Sequence, residues 1–215
     1  MKVSRCIPRK KSSGGCRSHQ EEVERPKTLR DVPSVYRRVY GPSAEQEERW
    51  WRADDLPLSK AIQRAVASKL ENRSHHKHQS IIRRQAYADC EAALLAKQRQ
   101  LRKARNFDEL LKCVDTALHK ISGAGEMIVY DVADRIALHL GLEPTHVYLH
   151  RGTRYGAMAL VGDITGKLPF IDVAELPAPL RQLTPRELEN ALCIYAALFR
   201  QWRNEDLFKP ALLRK

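Results

Sequence analysis

Ser122-Gly123-Ala124-Gly125 separates two amphipathic stretches and is followed at once by Glu126. Two glycines one residue apart allow a tight turn, because glycine adopts backbone angles that a Cβ disfavours. Gly123 and Gly125 are both expected to need that freedom. A helix that starts at such a turn presents unpaired N–H groups and the positive end of its dipole to an anion. The chemistry on offer is phosphate anchoring, which fixes position on nucleic acid and reads no sequence. Glu126 would oppose a phosphate at close range. It is equally a first-turn residue that stabilises a helix dipole with no ligand. A plain helical hairpin is therefore the other reading of the same residues.

A second cluster follows at His150-Arg151-Gly152-Thr153-Arg154. Two arginines flank Gly-Thr where a helix is expected to start. Guanidinium groups and a helix N-terminus together could clamp a phosphate. The alternative is a Thr153 cap with surface arginines pairing with acids such as Glu143 or Asp163. A third basic group is Arg83, Arg84, Arg102 and Lys103, in a stretch (73–105) with nine Lys/Arg against Asp89 and Glu91.

Residues able to do covalent or metal chemistry are scattered. His75, His76 and His78 cluster, and His146 and His150 are four apart, but there is no C-x-x-C pair. That is not a zinc pattern, so no metal site is expected. The five cysteines are odd in number and widely spaced, which reads as free thiols in a reducing compartment. Cys113 and Cys193 are expected to be buried on apolar helix faces. The pairs Asp54-Asp55 and Glu187/Glu189 have ordinary loop or helix explanations. No nucleotide-binding loop or nucleophile turn is present, so no catalytic residue and no cofactor is assigned.

The elements that hold these residues are helical. Leu58, Ile62, Ala65, Val66 and Leu70 recur at helical spacing over 58–71. A long basic helix is expected over about 79–104, with Ile82, Ala86, Cys90, Ala93 and Leu94 on one face. Asn106 caps a helix that runs to about Ile121, and a further helix covers 128–140 with Gly141 as its C-cap. Residues 145–150 read as a short extended piece. Thr184-Pro185-Arg186-Glu187 opens a last helix continuing to about Arg203. Asp131 and Asp134 are expected on the solvent side, with Asp131 pairing with Arg135. A short helix at 43–53 would dock Trp50 and Trp51 on the body.

The fold expected is therefore mainly α: a small helical domain with a glycine hairpin, preceded by a long basic helix and a disordered basic arm. The divisions expected are an arm over 1–30, a helical extension over 31–104, a compact domain over 105–205 and a tail over 206–215. The arm carries six basic residues and no acid in its first twenty, with Met1, Val3 and Ile7 its large apolar residues. Such a stretch buries too little surface to offset its ordering entropy. No apolar run is long enough to span a membrane, and the first twenty residues hold no signal-peptide core.

The stretch from Ile121 through Gly123-Ala124-Gly125 to Leu142 resembles a helix-hairpin-helix DNA-binding motif, within about residues 107–141. That family often places Lys, Arg or Thr after the second glycine, where Glu126 and Met127 stand here. Residues 121–195 also resemble an uncharacterised bacterial protein group. The shared succession is Val129-Tyr130-Asp131, Ala133, Arg135-Ile136, Leu140 to Pro144, Val147 to His150 and Gly152 to Arg154. The first resemblance implies nucleic-acid binding, and the second a shared domain with no activity attached. With a net charge of +12, the function expected is backbone binding to duplex DNA, largely independent of sequence, in the cytoplasm and associated with the nucleoid. The alternatives are a diverged DNA-repair glycosylase or lyase, and an adaptor for an acidic protein partner.

Overall fold

The computed structural model describes residues 24–52, 55–68, 84–163 and 168–204, and within them the chain is mainly helical. The helix ends marked by local chemistry form where that chemistry places them. The Asn106 side chain accepts from Glu109 N at 2.9 Å and starts α6 (Phe107–Leu118). Gly141, with φ +69°, ends α7 (Glu126–Leu140) in the left-handed conformation that glycine tolerates. Thr184 and Glu187 form a reciprocal capping box at the start of α9 (Pro185–Ile194).

Before these lie α1 (Val32–Val39), α2 (Gly41–Arg52), α3 (Leu58–Ala67), α4 (Arg84–Ala96) and α5 (Gln98–Arg102). The long basic helix expected over 79–104 is two helices in its described part. The chain turns at Lys97, and α5 brings Leu101 back into the core, fully buried. Likewise the last helix divides at Tyr195 into α9 and α10 (Ala196–Asn204). Both pack on α8 (Arg151–Val161). At ~1.5 Å per residue a straight helix over 185–204 would be nearly twice as long as α8 and could not keep both halves on it.

Two apolar clusters form the interior. The first joins α3, α4, α6 and α7 around Leu94, Phe107, Leu110 and Ile136. The second joins α1, α8, α9 and α10 around Tyr36, Leu149, Leu188 and Phe199. A two-stranded antiparallel sheet lies between them, pairing β1 (Val147–Tyr148) with β2 (Phe170–Ile171). Side chains alternate across a strand: Val147 and Leu149 enter the second cluster, and Tyr148 enters the first.

The division read at 104/105 is crossed by this packing. Helix α1 is built into the same cluster as the C-terminal helices, and α3 packs on α7. The arm boundary at residue 30 also moves. Residues 1–23 lie outside the described part, but Pro26 is buried, Leu29 packs on the second cluster, and Thr28 N donates to Asp31 Oδ2 at 2.8 Å. The tail at 206–215 and the cluster His75–His78 lie outside the described residues. No helix among those described is long and apolar enough to cross a membrane.

Candidate nucleic-acid interface

The glycine turn forms between α6 and α7. Ile121 N donates to Leu118 O and Ala124 N to Ile121 O, which closes the turn tightly. Gly123 has φ +97°, and a Cβ there would lie 3.5 Å from Ala86 Cβ on α4. Gly125 does not need the freedom expected of it. It is the N-cap of α7 with φ −77°, and a Cβ would meet nothing within 4 Å. Ser122, Gly123 and Gly125 are exposed, and Ala124 is half-buried. Glu126 stands in the first turn of α7, where it accepts from Arg154 Nη2 at 2.7 Å. That bond brings the two sequence clusters together and also neutralises both charges.

The second cluster works mainly as structure. His150, not Thr153, is the N-cap of α8. Thr153 is fully buried and donates to Glu189 Oε1 at 2.7 Å, so it does not face a phosphate. Arg154 is held by Glu126 and donates to the carbonyls of Leu149 and Leu168. Gly152 lets α8 approach α9, since a Cβ there would lie 2.5 Å from Cys193 Sγ. Arg151 is the exposed cation of the set.

His150 is buried and hydrogen-bonded through Nε2 to Glu189. Burial disfavours its charged form, but the Glu189 hydrogen bond and charge outweigh that, and its pKa is raised. Glu189, read from sequence as an ordinary helix acid, is buried as well. Asp131 and Asp134 do not lie on the solvent side. Asp134 accepts from Arg186 Nε at 2.9 Å between α7 and α9, and burial pushes its pKa up to about 6. Asp131 sits 3.8 Å from Arg135 at the four-residue spacing expected. Cys193 is exposed rather than buried, Cys113 is half-buried, and Cys90 is fully inside.

Of the basic group, Arg83 lies outside the described residues and Arg84 opens α4. Arg102 and Lys103 are exposed at the end of α5. The turn at Lys97 folds α5 against α6 and so creates a recess of about 370 Å³ with Lys97, Lys103 and Lys112 around it. Glu109 is the acid of that recess, and Arg105 takes its carboxylate at 2.6 Å. Arg99 is exposed on the same short helix. The pairing of Lys112 with Lys97 and Lys103 was not legible in the sequence. Lys112 shows there only as a residue off the apolar stripe of α6, and the turn that brings α5 to it depends on tertiary packing.

Also missed was a larger cavity of about 860 Å³ on the neighbouring face of α6, where Lys112 borders it as well as the recess, with walls from α6, the glycine turn, α7 and the sheet. Its only signal in the sequence is the concentration of aromatic residues at Tyr130, Tyr148 and Phe170. Among the described residues no group of three or more His, Cys, Asp or Glu could hold a metal ion. No family model matches the chain, and neither a curated protein nor a solved structure matches it.

Proposed function

We propose that this chain binds nucleic acid through the phosphate backbone, with the α5–α6 recess as its seat on the folded body. The observation that carries the reading is three lysines around one recess whose single acid is already held by Arg105. Phosphate contacts of this kind supply affinity without sequence preference and release counterions. The described residues hold 24 Lys and Arg against 20 Asp and Glu, so most of the net +12 belongs to other segments. On this reading the basic arm adds long-range attraction, and the recess fixes where the backbone sits. The exposed face of the glycine turn is a secondary contact, weakened because Arg154 is committed to Glu126. The reading places the chain in the cytoplasm on duplex DNA.

The test is a fluorescence-anisotropy titration of a labelled duplex at several salt concentrations. Log affinity should fall with log salt by about 0.9 per phosphate neutralised. Lys103→Glu should weaken binding and lower that slope by about 1, while Arg200→Glu, the same charge change exposed on α10, should change both much less. Equal losses would show that net charge alone matters, and no binding at low salt would end the nucleic-acid reading. An incision assay on damaged duplexes tests the glycosylase or lyase alternative. Chromatography after nuclease treatment tests the adaptor.

A further inference from the structure

The cavity of about 860 Å³ is walled partly by aromatic rings, for which phosphate binding alone has no use. Its volume falls within the ~300–1,000 Å³ typical of sites for small organic groups. Tyr148 lies 5.8 Å from Tyr130 and 5.9 Å from Phe170 between ring centroids. Phe170 is large and apolar yet 38 % exposed, and His146 stacks on its ring at 4.4 Å. Accessible rings of this kind take up flat aromatic groups by stacking.

The charges of the wall decide which part of a guest can enter. Asp108, Asp115 and Glu126 border the cavity, and so does Lys112. Arg154 Nη2 holds Glu126 at 2.7 Å, which neutralises that pair. Lys112 stands on α6 between Asp108 and Asp115, four and three residues away, so one carboxylate remains in excess. Asp108 accepts from the Tyr148 hydroxyl. Both histidines of the wall are engaged: His119 Nδ1 lies 3.1 Å from Thr116 O, and His150 is buried against Glu189. A phosphate drawn inside would face the excess carboxylate, whereas an uncharged base would not. Asp115 is exposed there as an acceptor for the amino groups of a base.

Lys112 also borders the α5–α6 recess, where Lys97 and Lys103 stand. A phosphate on Lys112 therefore brings the base of its own nucleotide to the aromatic wall. In a paired duplex that base is held in the stack, and freeing it carries an energetic cost that an unpaired base avoids. We infer that the cavity seats the base of an unpaired nucleotide while its phosphate rests on the recess lysines. The preferred nucleic acid is then a duplex interrupted by an unpaired nucleotide, which rests on the nucleic-acid reading and names the substrate class of that same site. The role is binding alone, with no bond made or broken.

Three labelled duplexes compared by fluorescence anisotropy at low salt test this: one fully paired, one with a single unpaired adenosine, and the same bulge with an abasic nucleotide. The adenosine bulge should bind at least about fivefold more tightly than either of the others, the low end of what one stacked base contributes. Phe170→Ala, at an exposed position, should remove most of that preference and leave the paired duplex bound as before. Lys103→Glu should weaken all three alike, because the base does not enter the recess. Equal affinity for the adenosine and abasic bulges overturns the inference and leaves backbone binding standing. So does a preference that survives Phe170→Ala, or a Lys103→Glu loss confined to the adenosine bulge. No binding of any of the three overturns the backbone reading and this seat with it.

Discussion

Arg186 is the residue on which the joint between α7 and α9 turns. It is buried, donates Nε to Asp134 and Nη1 to Glu143, and Glu143 also accepts from Arg52 on α2 at 2.7 Å. The folded pKa of Asp134, about 6, lies above its ordinary 3.8 because burial outweighs the nearby guanidinium. The folded chain therefore binds more protons at this site than the unfolded chain between those values. Its contribution to stability falls as pH rises through that window. Arg186→Met strands the carboxylate and should cost about 3–5 kcal/mol at pH 7. The loss should be smaller at pH 5, where Asp134 is protonated and no longer a buried charge. Urea unfolding at both pH values checks this, and an equal loss at each would show that Asp134 is not the group stranded. The glycines give a second contrast. A Cβ on Gly156 would lie 2.0 Å from Leu192 O, which is backbone and cannot step aside. Gly156→Ala should cost about 3 kcal/mol or more. Gly125→Ala meets open space and should cost within about 1 kcal/mol, the worth of an N-cap preference. Thermal melts of the two variants separate a packing glycine from a turn glycine.

At the scale of elements, what was legible follows from how local the deciding interaction is. Asn106, Gly141 and Thr184 act on atoms within a few residues, so their helix ends could be read from the string of residues. The turns at Lys97 and Tyr195 answer to what α5 and α10 pack against, and no Gly or Pro marks either. Helix α1 was missed because its eight residues include Pro33 and three basic or polar positions, and its order comes from Tyr36 in a distant cluster and Arg37 on Glu187. The candidate site divides in the same way. Its residues were partly named, but Thr153, Arg154 and Asp134 proved to be bound by partners far along the chain. The legible caps carry a measurable share of stability. Asn106→Ala removes the acceptor for Glu109 N and should destabilise the chain by about 1 kcal/mol. A melt unchanged from the parent would mean that Arg105, which Glu109 also holds at its backbone N at 3.0 Å, anchors the α6 start without the cap.

For the whole molecule, the described residues carry a net +4 (24 − 20) and residues 1–23 another +4 (6 − 2) of the +12, so truncation can measure the arm's share. Residues 1–23 hold six basic side chains against Glu21 and Glu22 and have little apolar content. Residues 24–40 hold Val32 and Tyr36, exposed by 0 % and 2 %, in the cluster that also includes Leu188 and Phe199. Burial of a Val- or Phe-sized side chain contributes ~1.5–3 kcal/mol, so α1 supplies roughly 3–6 kcal/mol through these two alone. The whole stability of a domain is only ~5–15 kcal/mol. Deleting 1–23 should therefore leave the melting midpoint within about 2–4 °C of the full chain, the shift that 1 kcal/mol produces at this size. It should still weaken duplex binding at low salt and flatten the salt dependence, because phosphate contacts are lost with the arm. Deleting 1–40 should abolish cooperative melting, since the second cluster loses two inward side chains and Glu187 loses Arg37. Calorimetry of the two truncations, with anisotropy on the first, reads both effects. A large melting shift on removing 1–23 would place part of the core in the arm. Unchanged DNA affinity in a stable 24–215 fragment would take the arm out of the electrostatic contact.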